Sequence, residues 1–194
     1  KITRKEIEAK SGASIDDIRN AKADEYRKEV IESYGHFYRL MMSEIKTTLA
    51  ELKTRFPEYD GRGYEITGFV WFQGWNDMFN KDGLAQYEAN LVHLINDVRK
   101  AWGKPNLPIV VGELGNLGDK AGKNMFVIRK AQEAATKHKG FEGTAKFVRT
   151  TQFARPKEES PNIGHGHHWF GNAESYFLIG DALGKAMVGL MPEK

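Results

Sequence analysis

Phe69-Val70-Trp71-Phe72 is apolar at four successive positions, and the chain then breaks at once into Gln73-Gly74-Trp75-Asn76-Asp77. A strand apolar on both faces needs cover on both sides, as in a parallel sheet. The polar break after it marks the rim beyond a strand's carboxyl end, where open α/β sheets hold ligands. Leu107-Pro108-Ile109-Val110-Val111-Gly112 repeats the pattern, with Glu113-Leu114-Gly115 leaving its end. Strands are therefore expected over 64–72, 107–112 and 145–153.

Helical spacing fills the gaps. Tyr26, Val30, Tyr34, Phe37, Met41, Ile45, Leu49, Leu52 and Phe56 fall in steps of three and four, which predicts one long helix over 23–56. Ser14 before Ile15-Asp16-Asp17 can cap a short helix, while Ser11-Gly12-Ala13-Ser14 breaks any period. Further helices are expected over 84–102, 124–138 and 172–190, with a loop over 154–171. Strand–helix alternation implies a parallel sheet with helices on both faces. Three strands are few beside the usual five or six. The chain therefore reads as residues 1–63, a helical segment leading in, and residues 64–194, the C-terminal part of a larger α/β domain.

Composition narrows the function. The chain has 194 residues, a formal net charge of +3 and no cysteine. Its basic residues are interleaved with acidic ones, so no concentrated face for nucleic acid is expected. Thiol catalysis and Cys-ligated zinc are excluded. No run approaches the ~20 apolar residues of a membrane helix. The start Lys-Ile-Thr-Arg lacks Met and a signal-peptide pattern, and reads as a cut or a processing point.

Asn76, Asp77, Glu113, Arg155 and His168 all follow strands or lie in the last loop. Asn76 is a candidate oxyanion donor, or else an ordinary turn residue. Asp77 caps the next segment or holds the Asn76 loop. His168, in Gly164-His165-Gly166-His167-His168-Trp169-Phe170-Gly171, is a candidate base, since imidazole titrates near neutrality. The three histidines raise a metal reading, but no recognised ligand pattern accompanies them. Trp75 and Trp169 flank the two motifs and suit either a sugar ring or packing; Trp71, inside the strand, suits packing. Glu113 can orient His168, bind substrate, or cap a turn.

These motifs resemble a known group. Gly74-Trp75-Asn76-Asp77 is similar to the Gly-x-Asn-Asp block of SGNH hydrolases. Trp71-Phe72-Gln73-Gly74 resembles the Trp-x-Gln-Gly strand end of sialate O-acetylesterase-like carbohydrate esterases, and His168-Trp169-Phe170-Gly171-Asn172-Ala173, with Tyr176 and Ile179-Gly180, resembles their final block. The resemblance spans about Tyr64 to Met187. It implies a flavodoxin-like three-layer α/β/α fold and hydrolysis of acetyl esters on sugars by a serine, a histidine and an acid. His168 would be the base and Asn76 the oxyanion donor. Gln73 and Gly74 would shape the site, and Trp75, Trp169 and His167 would meet the sugar. No metal or organic cofactor is implied. The group leans towards secreted or periplasmic bacterial proteins acting on polysaccharide.

Two departures stand out. No Gly-x-Ser block appears, so the nucleophile is expected on an N-terminal part of the same protein. His165 stands where the group places its acid, which leaves Glu113, Glu158 or Glu159 as substitutes. Two rival readings remain: a non-catalytic carbohydrate-binding relative, and an interaction protein that docks through the 23–56 helix.

Overall fold

A computed structural model describes residues 14–191, and the Ser11-Gly12-Ala13 break lies outside them. The chain falls into two compact units, Lys1–Tyr64 and Glu65–Lys194.

The first unit contains α1 (Ile15–Ser33), α2 (His36–Ala50) and the single turn α3 (Leu52–Arg55). Ser14 caps α1: its Oγ accepts from the Asp17 N–H at 3.0 Å. The helix so capped is long rather than short. The continuous helix expected over 23–56 is interrupted. Gly35 takes a left-handed conformation, φ 70°, which ends α1. Arg39 then donates to the freed carbonyls of Tyr34 and Glu32, at 2.7 and 2.6 Å. Tyr26, Tyr34 and Phe37, placed by their spacing on an inward face, are exposed.

The second unit is an α/β arrangement around three parallel strands, β1 (Phe69–Trp71), β2 (Ile109–Gly112) and β3 (Ala145–Val148), in the order β1-β2-β3. The helices α4 (Lys81–Ala101), α5 (Lys123–Thr136) and α6 (Ala173–Val188) complete it. β2 is wholly buried. Val110 packs into a cluster with Ile179, Leu183 and Met187 of α6. Alternation turns Ile109 and Val111 to the opposite face, and α5 packs against β2 and β3 as well as α4.

All three strands are shorter than or shifted from the expected spans, for local reasons. Pro108 has no N–H to give, and the β1 ladder starts from its carbonyl, which accepts from Phe69 N–H at 2.9 Å. β3 stops at Val148 because the next amides turn aside. Thr150 and Thr151 donate their N–H groups to the Glu113 carboxylate, at 2.7 and 2.9 Å, and the chain enters a 3-10 turn over Thr151–Phe153. The apolar run of β1 predicts cover on both faces; among the described residues β1 pairs only with β2, and Val70 and Phe72 are 44% and 38% exposed.

Candidate active site

The residues that follow β1 are shaped from below. Gly74 takes φ 151°, and a side chain there would press on Ile128 and the Tyr87 hydroxyl. Only glycine lets the backbone pass so close to the helices. The Gln73 carbonyl accepts from Tyr87 Oη at 2.7 Å and from Gln132 Nε2 at 2.9 Å. The Gln73 side chain donates to Asp77 Oδ2 at 2.6 Å. Asp77 thus holds the Asn76 loop, and the helix cap belongs to Asn80, whose Oδ1 accepts from the amides of Asp82 and Gly83. Asn76 opens a 3-10 turn with its side chain exposed and, among the described residues, without a hydrogen-bond partner, so its amide is placed to donate.

Two side chains that sequence reasoning missed carry this architecture. Gln132 is fully buried; its Oε1 accepts from Leu114 N–H at 2.8 Å while its Nε2 reaches Gln73. One amide therefore ties the loop after β1 to the loop after β2. Arg129, also buried, donates to the carbonyls of Leu114, Asn116 and Gly118 at 2.7, 2.9 and 3.0 Å. Desolvation lowers its pKa, partly offset by the Glu113 and Asp119 charges. Burial pushes the Tyr87 hydroxyl up to about 12. The signal was present: Met125, Ile128, Gln132 and Ala135 share one helix face, and Gln132 is its polar member.

The histidine segment arrives from the other side. Trp169 is 5% exposed and stacks on Phe72 with ring centroids 6.3 Å apart. Trp169 and Phe170 both sit at positive φ, 52° and 53°. Two consecutive bulky residues in that region are strained, and packing of Trp169 holds them. Asn116 Nδ2 donates to the His167 carbonyl at 2.8 Å, and Tyr176 Oη to the His168 carbonyl at 2.9 Å. The Asn116 Oδ1 is buried without a hydrogen-bond partner among the described residues.

These loops enclose a cleft of about 310 Å³ beyond the ends of β1 and β2. Gln73, Gly74, Trp75, Asn76, His167, His168 and Trp169 all line it. Candidates from two segments almost a hundred positions apart therefore share one cavity. Trp75 stands against His167, ring centroids 5.5 Å apart, and is partly exposed. Trp169, read as a possible sugar platform, is mostly core. Desolvation holds the His167 imidazole below the ordinary histidine value, and the neighbouring His168 and His165 lower it further.

The proposed acids are not brought to His168. Glu113 is buried, and its Oε2 also accepts from Thr151 Oγ1 at 2.7 Å. It is a cross-brace between the ends of β2 and β3. Glu158 lines a different cleft, and Glu159 is exposed and does not line the His168 cleft. Arg155 is ion-paired to Glu174 at 2.8 Å. His165 shares a 2.7 Å hydrogen bond with Asn162 and lies edge-on to His168 at 6.3 Å. Among the described residues no side chain hydrogen-bonds the His168 ring, and no three His, Asp or Glu are grouped to hold a metal. No helix among them is long and apolar enough to cross a membrane.

The family model described as "Carbohydrate esterase, sialic acid-specific acetylesterase" matches residues 7–188. No curated protein and no solved structure matches the chain.

Proposed function

We propose a mechanism from one premise: the chain belongs to the carbohydrate esterase family, sialic acid-specific acetylesterase. The intact protein is a serine O-acetylesterase acting on acetylated sugars. The observation that carries this reading is the shared cleft, in which an unengaged amide and an imidazole stand at the carboxyl-end rim of a parallel sheet.

In the reaction a serine hydroxyl attacks the acetyl carbonyl. His168 takes the serine proton, and the Asn76 amide donates to the oxyanion as it forms. His168 then returns the proton to the departing sugar oxygen, leaving an acetyl-serine. A water, deprotonated by the same ring, attacks the acetyl-serine carbonyl; the bond to the serine oxygen breaks, the ring returns its proton to that oxygen, and acetate leaves. Gln73 and Gly74 do not touch the reacting atoms; they fix where Asn76 stands. Trp75 and His167 form the wall for the sugar.

Among the described residues no serine lines the cleft. Ser175 is fully buried and donates to the Phe153 carbonyl, and Ser160 donates to that of Pro156. The nucleophile is therefore assigned to another segment of the protein, one that completes a three-layer, flavodoxin-like sheet beside β1. The pairing of β1 with β2 alone among the described residues, and the exposure of Val70, support that position.

In the intact protein, His168→Ala is expected to abolish turnover of p-nitrophenyl acetate and acetylated sugars. Asn76→Ala is expected to lower kcat by ~10²–10³-fold, with KM little changed. Full activity in the His168→Ala protein would overturn the assignment. A second reading, a carbohydrate-binding relative without catalysis, is favoured by the lack, among the described residues, of any carboxylate bonded to the His168 ring. Binding of an acetylated glycan with no turnover by the intact wild type would select it.

A further inference from the structure

A second cleft on the same rim has no part in the reading above. It encloses about 950 Å³ beyond the ends of β2 and β3. Neighbouring residues divide it from the Asn76–His168 cleft: Asn116 and Trp169 line the first, Leu117 and Phe170 the second. Among the described residues, the non-glycine positions at positive φ are Leu117, Trp169 and Phe170. All three stand on this dividing ridge. A side chain on Gly166 would press into Leu117 and Phe170, so the ridge is tightly packed as well as strained. Strain gathered at one place between two cavities is a mark of a built binding surface.

The charges in the second cleft are unequal. Lys120, Arg149, Arg155 and Lys157 line it, against Asp119 and Glu158. Arg155 is held by Glu174 at 2.8 Å, and Lys157 lies 3.9 Å from Glu158. Lys120 and Arg149 have no side-chain partner among the described residues. Leu117 and Phe170 give the same cleft an apolar surface fit for the face of a pyranose ring. Two uncommitted cations beside an apolar face suit a sugar that carries a carboxylate, with a guanidinium able to bind both oxygens.

We infer that the second cleft is a subsite for a carboxylate-bearing sugar on the same glycan chain whose neighbouring residue presents its acetyl ester to Asn76 and His168. The inference takes the glycan from the esterase reading, whereas the demand for negative charge comes from the cleft itself. The acidic group is thus recognised one residue away from the ester, on a polymer with mixed acidic and acetylated units.

The test uses the intact protein and three substrates: p-nitrophenyl acetate, an acetylated uronate-containing oligosaccharide, and its carboxyl-reduced counterpart. The Lys120→Gln/Arg149→Gln protein is expected to show KM for the acidic oligosaccharide raised about tenfold at low salt, with kcat retained. KM for the reduced oligosaccharide and turnover of p-nitrophenyl acetate stay unchanged. Equal KM for acidic and reduced substrates in the wild type would overturn the inference while leaving the esterase reading intact. Should the wild type hydrolyse nothing, calorimetry with the de-esterified uronate oligosaccharide decides the cleft alone. Binding that weakens in the double variant, with an unchanged circular dichroism spectrum, supports it, and binding that does not weaken overturns it.

Discussion

The two walls of the Asn76–His168 cleft are held in opposite ways. On the Asn76 side the loop is fastened from beneath by buried polar groups of α4 and α5: Tyr87, Gln132 and, for the neighbouring β2 loop, Arg129. On the His168 side a long loop carries strained backbone at Trp169 and Phe170 and is held by one deeply packed indole and by bonds from Asn116 and Tyr176 to the carbonyls of His167 and His168. The first wall is fixed by satisfied hydrogen bonds in a low-dielectric setting, where an unmet group is costly. The second rests on burial of the Trp169 indole together with bonds to backbone carbonyls, neither of which directs the His168 ring. In the proposed mechanism Asn76, as oxyanion donor, stands on the first kind of support, and His168, as base, stands on the second.

Substitutions can break this contrast. The largest effect is expected from Trp169→Ala, which removes the deeply buried indole of the histidine wall and should cost about 3–5 kcal/mol in urea unfolding. If instead the loss is under about 1 kcal/mol, the loop is held by something other than packing. Gln132→Met keeps the shape of the side chain but leaves the Leu114 N–H unpaired in a buried place. It should cost about 1–3 kcal/mol and disturb the Asn76 wall alone, read as a fall in kcat in the intact protein with the His167 and His168 NMR signals unmoved. Equal disturbance of both walls would show that they are one mechanical unit.

Tyr87→Phe should cost about 1 kcal/mol at neutral pH, because Gln132 still satisfies the Gln73 carbonyl. It also carries a pH signature. The Tyr87 hydroxyl is raised from 10.0 to about 12, so the folded protein holds that proton more tightly than the unfolded chain. Its contribution is complete below pH 10 and is lost as pH rises towards about 12. Alkaline unfolding should begin later in the Phe variant than in the wild type. The smallest effect is a titration. His167 should titrate below 6.5, since its charged form is disfavoured by desolvation and by His168 and His165. Its contribution to stability is therefore present above pH 6.5 and is lost as pH falls through the lowered value. NMR of the imidazole protons checks this, and a His167 value above 6.5 would refute the proposed crowding.

The same contrast explains what could be read from the residues in order. The parallel strands announced themselves through unbroken apolar runs, and Asn76 and His168 through short motifs beside them. The break at Gly35 did not, because apolar spacing continues across it and only the positive φ reveals the turn. The early end of β3 was hidden for another reason: it depends on Glu113, thirty-seven positions away, drawing the Thr150 amide out of the ladder. A carboxylate at a strand end looks the same in sequence whether it serves chemistry or bracing. Gln132 and Arg129 were legible only as polar members of an inward helix face, and their partners are backbone atoms, which carry no sequence signature.

Gln132 also sets a rule for length variation. Because a helix turns about 100° per residue, inserting or deleting one residue between Lys123 and Gln132 would swing this amide off both loops at once. Relatives of this chain should then vary in length in the surface turns at either end of α5, while the spacing inside its first two and a half turns stays constant.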